Sequence, residues 1–282
     1  MRVARLSILS NTMLILMKII AGVISGSVSI ISEAIHSGMD LIAALIAFFS
    51  VRASGKPPDK EHPYGHGKFE NISGVVEAIL IFIAAAWIIY EAISRLTGNG
   101  ELESLALGSV VMFISAGVNA LVSTRLYKVS RETESIALEA DALHLKTDVY
   151  TSLGVAIGLL LIHITGWHFF DPLIAIMVAI IILKESYELL KKAYSPLVDS
   201  SLSAEELQII ERVLAKMQVK YHDLKSRKSG NQRFVEFHIE LPSKEKLKDV
   251  HDFCDRIERE LTTEIKNLEV QIHAEPLDYH LK

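Results

Sequence analysis

The 282 residues lack a second cysteine: Cys254 stands alone, so no intramolecular disulfide can form and folding needs no oxidising compartment. Charge is scarce as well. Only 22% of residues are charged against 50% apolar, which is too greasy and too long for one ordinary soluble core, so a membrane class leads. The formal net charge of −5 hides a split, with long uncharged stretches over residues 6–190 and acids and bases crowded into 200–282. That asymmetry predicts two domains in two solvents. The first apolar run follows Arg2 and Arg5 as a leader would, yet Asn11 and Lys18 interrupt it and five more runs follow, so it reads as a first span. His-Glu-X-X-His, a common helical signature of zinc hydrolases, is missing too, which argues against an intramembrane metalloprotease. Nothing points to a nucleic-acid partner.

Six windows come close to the roughly 20 apolar residues that a helix needs to cross a bilayer: 6–25, 28–51, 72–96, 105–126, 136–164 and 170–190. Basic residues fall almost wholly on one side. Arg2, Arg5, Arg52, Lys56, Lys60, Lys68, Arg125, Lys128, Arg131, Lys184, Lys191 and Lys192 share it, and the opposite connections offer Arg95, so both termini are expected in the cytoplasm. After Pro196 the pattern changes to helical periodicity over 204–217, strands over 221–227 and 234–241, a helix over 245–264 and a strand over 268–274. The expectation is a six-helix, all-α transmembrane domain over 1–196 and a cytosolic α+β domain over 197–282, ordered α-β-β-α-β.

Ionisable side chains inside hydrocarbon are expensive and therefore functional suspects. The second window holds Glu33, His36 and Asp40; the fifth holds Asp141, His144 and Asp148. Both follow one pattern: acid, Ala, any residue, His, three residues, Asp. Residues four apart share a helix face, so each His–Asp pair points one way, and two such helices face to face supply four ligands. Two imidazoles and two carboxylates suit Zn²⁺, whereas Ca²⁺ and Mg²⁺ prefer all-oxygen shells. A single such pair reads as well as an ion pair tying two helices; the repetition favours metal. Glu33 and Asp141 lie a turn earlier on the same face and are expected to support the site or line the ion's path.

Two further clusters are candidates. In the loop after the second window, Asp59, His62 and His66 can converge around a compact turn of Pro63 and two glycines. On the strand over 234–241, Val235, Phe237, Ile239 and Leu241 take one face, leaving His238 on the other with Glu236 and Glu240. The last strand puts Val270 and Ile272 in the core and His273 and Glu275 on the outer face, so His238 and His273 are expected to meet across adjacent strands. His222 and His251 complete the histidines of this domain.

Together these residues resemble the cation diffusion facilitator family of divalent metal transporters, over nearly the whole chain. The likeness rests on the quartet His36, Asp40, His144 and Asp148 split between the second and fifth spans. It rests also on the loop Asp-X-X-His-X-X-Gly-His-Gly-Lys from Asp59 to Lys68, and on the terminal α+β domain. The resemblance implies a copper-chaperone-like (ferredoxin-like) cytosolic domain that dimerises and binds metal through His222, His238, His251, His273 and Glu275. Glu275 stands where an Asp is common. It implies an inner-membrane homodimer exchanging metal for protons, with an ion pair of Lys68 and Asp199 interlocking the subunits. His36, where some members have Asp, is linked within the family to zinc over Cd²⁺. Fe²⁺, Co²⁺ and Mn²⁺ remain alternative cargoes, and a passive metal channel or receptor is the alternative mechanism. The short tail ahead of the first span suggests a trimmed start.

Overall fold

A computed structural model describes residues 1–25, 28–96, 106–167 and 169–277. Its N-terminal part is helical: α1 (Arg2–Ser25), α2 (Val28–Ser54), α3 (Lys68–Leu96), α4 (Ala106–Thr133), α5 (Ile136–Thr165) and α6 (Phe170–Tyr194). Among the described residues, Arg2–Ile24, Ser37–Ser54 and Lys68–Ser94 are long and apolar enough to cross a membrane by length and composition. The side chain of Arg95 lies outside the described residues.

α1 shows the environment in which these helices fold. Among its buried positions are Ala4, Ser7, Asn11, Leu14 and Lys18, while Leu9, Met13, Leu16, Ile20 and Ile24 are exposed. Both sets recur every three or four residues, so the helix turns small and polar groups inward and large apolar ones outward. That polarity is inverted relative to a soluble helix and satisfies polar groups inside when the outside is lipid. α5 is the central helix. Ala137, Leu138, Ala140, Asp141, Ala142, Leu143 and Leu145 are all buried, because α2, α3, α4 and α6 pack around it. One core joins α3, α5 and α6 through Ala78, Ile81, Leu143 and Ile182, and another joins α1, α4 and α5 through Ala4, Leu126, Leu138 and Leu145. Alanines at these crossings let the backbones approach closely.

A short 3₁₀ turn (Ser195–Val198) leads to the second unit: α7 (Ala204–Lys216), β1 (Tyr221–Ser229), β2 (Gln232–Leu241), α8 (Leu247–Glu264) and β3 (Leu268–Pro276). Ser203 and Glu206 close a capping box on α7, satisfying two otherwise orphaned amides. β2 lies centrally, antiparallel to β1 and parallel to β3. Val235, Phe237 and Ile239 point with Ile210, Leu214, Ile257 and Leu261 into a core of their own, so the opposite face of the sheet is left for polar residues.

The β1–β2 hairpin meets the membrane unit. Its turn has Gly230 at φ 59°, and the Gly230 N–H donates to Asn71 Oδ1 at 3.2 Å. Lys228 Nζ lies 2.8 Å from Glu134 in the α4–α5 turn, and Arg233 grips both oxygens of Glu134 at 2.9 and 2.8 Å. Arg227 stacks over Tyr64 and Phe234, 4.4 and 4.5 Å from the ring centres.

Candidate metal centres

The contact of α2 with α5 brings Asp40 Oδ1 and His144 Nε2 to 3.0 Å. Both groups face inward, with the His144 side chain 15% exposed and Asp40 buried. Asn11 of α1 donates to the Asp40 carbonyl at 3.3 Å, fixing that stretch of α2. Asp148, one turn beyond His144, accepts from Asn119 of α4 at 3.1 Å. The structure therefore pairs Asp40 with His144 directly and aims Asp148 toward α4. The side chains of His36 and Glu33 lie outside the described residues. Asp141 is fully buried and accepts from Ser7 Oγ at 3.1 Å, a support from α1. Imidazole nitrogen beside carboxylate in a largely dry interior can hold a proton between them, or open by a few tenths of an ångström to clasp a tetrahedral cation through bonds near 2 Å.

The loop cluster is tighter. Ligand atoms of Asp59, His62 and His66 all lie within 4.8 Å of one another. His62 Nδ1 and His66 Nε2 stand 3.4 and 3.3 Å from the two oxygens of Asp59, and the rings are 4.4 Å apart. The local chain dictates this arrangement. Asp59 Oδ1 accepts from the amides of Glu61 and His62 at 3.0 and 2.7 Å, an Asx turn that draws the histidines round, and Gly65 takes a positive φ of 79°. The His62 amide, the largest influence, holds the Asp59 carboxyl below its ordinary range; burial opposes it, and the Glu61 amide and both imidazoles add to the lowering. Nδ1 of each histidine is buried without a hydrogen-bond partner. His62 Nδ1 and His66 Nε2 beside an ionised carboxylate fit a divalent transition metal.

On the open face of the sheet, His222, His238 and Glu275 likewise bring ligand atoms within 4.8 Å of each other. His238 Nδ1 is 3.0 Å and His222 Nε2 3.4 Å from the two Glu275 oxygens. β1 aligns His222 with His238, and parallel pairing aligns His238 with His273 and Glu240 with Glu275. The expected meeting of His238 and His273 occurs, with ring centres 4.8 Å apart. His273 is more exposed and reaches Glu275 at 3.5 Å. His251 stands apart on α8, 68% exposed, facing Asp255 one turn on, so a single chain does not bring it to this cluster. Lys68 Nζ pairs with Asp199 Oδ1 at 2.9 Å within one chain, where the sequence reading expected a bridge between subunits. Lys68 is the main reason the Asp199 carboxyl lies below its ordinary range.

Sequence reasoning passed over several participants. Asp223 sits at φ 51° in a bulge of β1, 3.9 Å from His238, its carboxyl held low chiefly by Lys225. Lys146 of α5 reaches both oxygens of Glu185 of α6, at 2.9 and 3.0 Å. Glu77 in α3 is wholly buried, and an acid inside an apolar window was itself the signal that could have found it.

Residues 4–198 match the cation efflux transmembrane domain, and residues 202–277 match the cytoplasmic domain of cation efflux proteins. The chain is 37% identical over 265 residues to an uncharacterised transporter of Synechocystis, covering 93% of this chain and 86% of the relative. It is 33% identical over 279 residues to the cation-efflux pump FieF of Klebsiella pneumoniae, covering 97% and 93%. Among solved structures it is similar to the metal-bound C-terminal domain of the CzcD transporter from Thermotoga maritima. That likeness has 32% identity and a TM-score of 0.25, and covers 27% of this chain and 95% of the other.

Proposed function

The chain belongs to the cation diffusion facilitator family of divalent-metal efflux transporters, integral membrane proteins, and from that premise we propose that it exports zinc in exchange for protons. The cargo is held by His36, Asp40, His144 and Asp148, and access to that site alternates between the two sides of the membrane. The observation that carries this reading is the inward-facing contact of Asp40 with His144 at 3.0 Å between α2 and α5. Open to a near-neutral cytosol, unprotonated imidazoles and ionised carboxylates bind the dication, and the two aspartates cancel its charge, which offsets much of the cost of burying it. Open to the far side, protons compete for histidine, whose reference pKa of about 6.5 suits that exchange. Metal leaves as protons bind.

In this reading residues 1–196 form six spans with both termini cytoplasmic, and residues 197–282 form the cytosolic domain of a homodimer in the inner membrane. The placement of basic residues on one side supports the orientation. Asp59, His62 and His66, and His222, His238, His273 and Glu275, serve as cytoplasmic metal sites that sense the cargo. Proteoliposomes loaded with a zinc-sensitive dye test the proposal. Zinc flux is expected to rise with an opposing proton gradient and to vanish in His144→Ala while the protein stays monodisperse. Flux that ignores the gradient would point to a passive channel, and undiminished flux in His144→Ala would remove His144 from the site.

A further inference from the structure

Glu77 is buried completely within α3. Ser73 Oγ, one turn earlier, donates to Oε1 at 3.0 Å, and Oε2 has no hydrogen-bond partner. Across the interface on α5, Asp141 repeats this condition: Oδ1 accepts from Ser7 at 3.1 Å and Oδ2 is left over. Their sequence neighbours Ala78 and Ala140 pack in one core, which puts both acids at the same crossing of α3 with α5. Among the described residues, the other charged or titratable groups that act on the pair are Asp40 of α2 and His144 of α5, both through Asp141. α6 presents the Ser186 hydroxyl nearby, and that is committed to the Ala78 carbonyl at 2.6 Å. No lysine or arginine is among these neighbours. Two carboxyls buried at one helix crossing without a cation between them do not readily both ionise, and a carboxylate oxygen without a donor is strongly disfavoured. Asp141 has His144 on its side, so the acid that stays neutral is Glu77.

We infer that Glu77 binds a proton in the metal-free protein and releases it when a dication reaches Asp40, His144 and Asp148. The inference rests on the antiport reading for its place in a cycle, and adds a proton site separate from the metal ligands. The arriving charge offsets Asp141, which removes the anion that keeps Glu77 neutral. The Glu77 carboxyl then loses H⁺ to water on the open side, leaving a carboxylate. Return of that proton restores the pair after the metal departs.

Infrared difference spectroscopy of the full-length protein in lipid, with and without Zn²⁺, tests this directly. Wild type is expected to lose a protonated-carboxyl stretch, sensitive to D₂O, when Zn²⁺ is added. Glu77→Gln lacks that band, and dye titration finds about one fewer proton released per chain. A band and proton count unchanged in Glu77→Gln would overturn the inference, as would the absence of any such band in wild type. Should Glu77→Gln fail to fold, Ser73→Ala has to shift the band, since it removes the bond to Oε1; an unmoved band overturns the inference. Failure of the antiport reading looks different: wild-type flux then ignores the proton gradient, whatever the spectrum of Glu77.

Discussion

Arg233→Met should loosen the hairpin from the membrane unit by an amount that follows from its partners. The Arg233 side chain is 9% exposed and bonds the carboxylates of Glu206 and Glu134 and the carbonyls of Asn231 and Lys266. Stripping one member from a fully buried ion pair costs about 3–5 kcal/mol because the survivor is left uncompensated. Neither acid here is abandoned. Glu206 keeps the Ser203 amide at 3.0 Å, and Glu134, 42% exposed, keeps Lys228 and water. The loss is therefore nearer that of one bond to a part-buried acid, about 1.5–3 kcal/mol, with under about 1 kcal/mol from the exposed Glu134 side. Hydrogen-exchange mass spectrometry on the full chain reads this as protection lost in β2 and the first turn of α7, about 10–10²-fold faster exchange. Acid supplies the control. Burial pushes Glu206 and Glu134 up, but Arg233, with Ser203 for the former and Lys228 for the latter, outweighs it and leaves both below their ordinary values. A carboxyl depressed on folding contributes stability above its unfolded pKa, about 4.3, and loses it as pH falls through the folded value. Wild type and Arg233→Met should thus converge in acid. Exchange unchanged at pH 7, or a gap that widens in acid, would refute the reasoning.

Gly230→Ala tests the same contact sterically, because a Cβ there would come 2.8 Å from Gly67 Cα and 2.9 Å from Gly67 O at a positive φ. The isolated domain should lose about 1–2 kcal/mol from the left-handed backbone alone, and the full chain measurably more by the same denaturation assay; equal losses would mean that the glycines do not seat the hairpin. Elemental analysis separates the loop cluster from the sheet cluster. His238→Ala and Asp59→Asn should each lower bound Zn²⁺, and the double variant should lose the sum; a double variant no poorer than either single one would make the clusters a single site.

The helices were legible where hydrocarbon does the selecting, and less so at the ends that meet the α+β unit. The third window opens at residue 72 and the fourth closes at 126, whereas α3 starts at Lys68 and α4 runs on to Thr133. Those extra turns are polar, so an apolar window does not register them. The fifth window opens at residue 136, where α5 starts, and Ser135 caps it there, accepting from the Leu138 amide at 3.3 Å. Strand alternation assigned His238, His273 and Glu275 to one face, since period two fixes the face once the apolar set is known. His251 resisted because α8 has to be placed against the sheet before its outer face has a direction. Glu77 was missed for another reason: a search for a repeated pattern passes over an acid that occurs once.

The sheet cluster and the α2–α5 site share one mechanical element. Glu134 and Ser135, at the root of α5, receive Lys228 and Arg233 from the hairpin and Glu70 from α3, and Glu70 also takes Ser54 of α2. His144 lies ten residues beyond Glu134, about 15 Å along the helix, and its side chain touches Asp40 of α2. A metal drawn between His222, His238 and Glu275 pulls on β1 and β2, and these are the strands that hold Glu134. Such a tether amounts to coupling only if it is reciprocal. Occupancy of the membrane site must then change metal affinity at the sheet by the same factor that the sheet changes affinity in the membrane. A hairpin that merely anchors the domain would leave both affinities untouched, so the pair of binding isotherms, and not the contact itself, decides between the two.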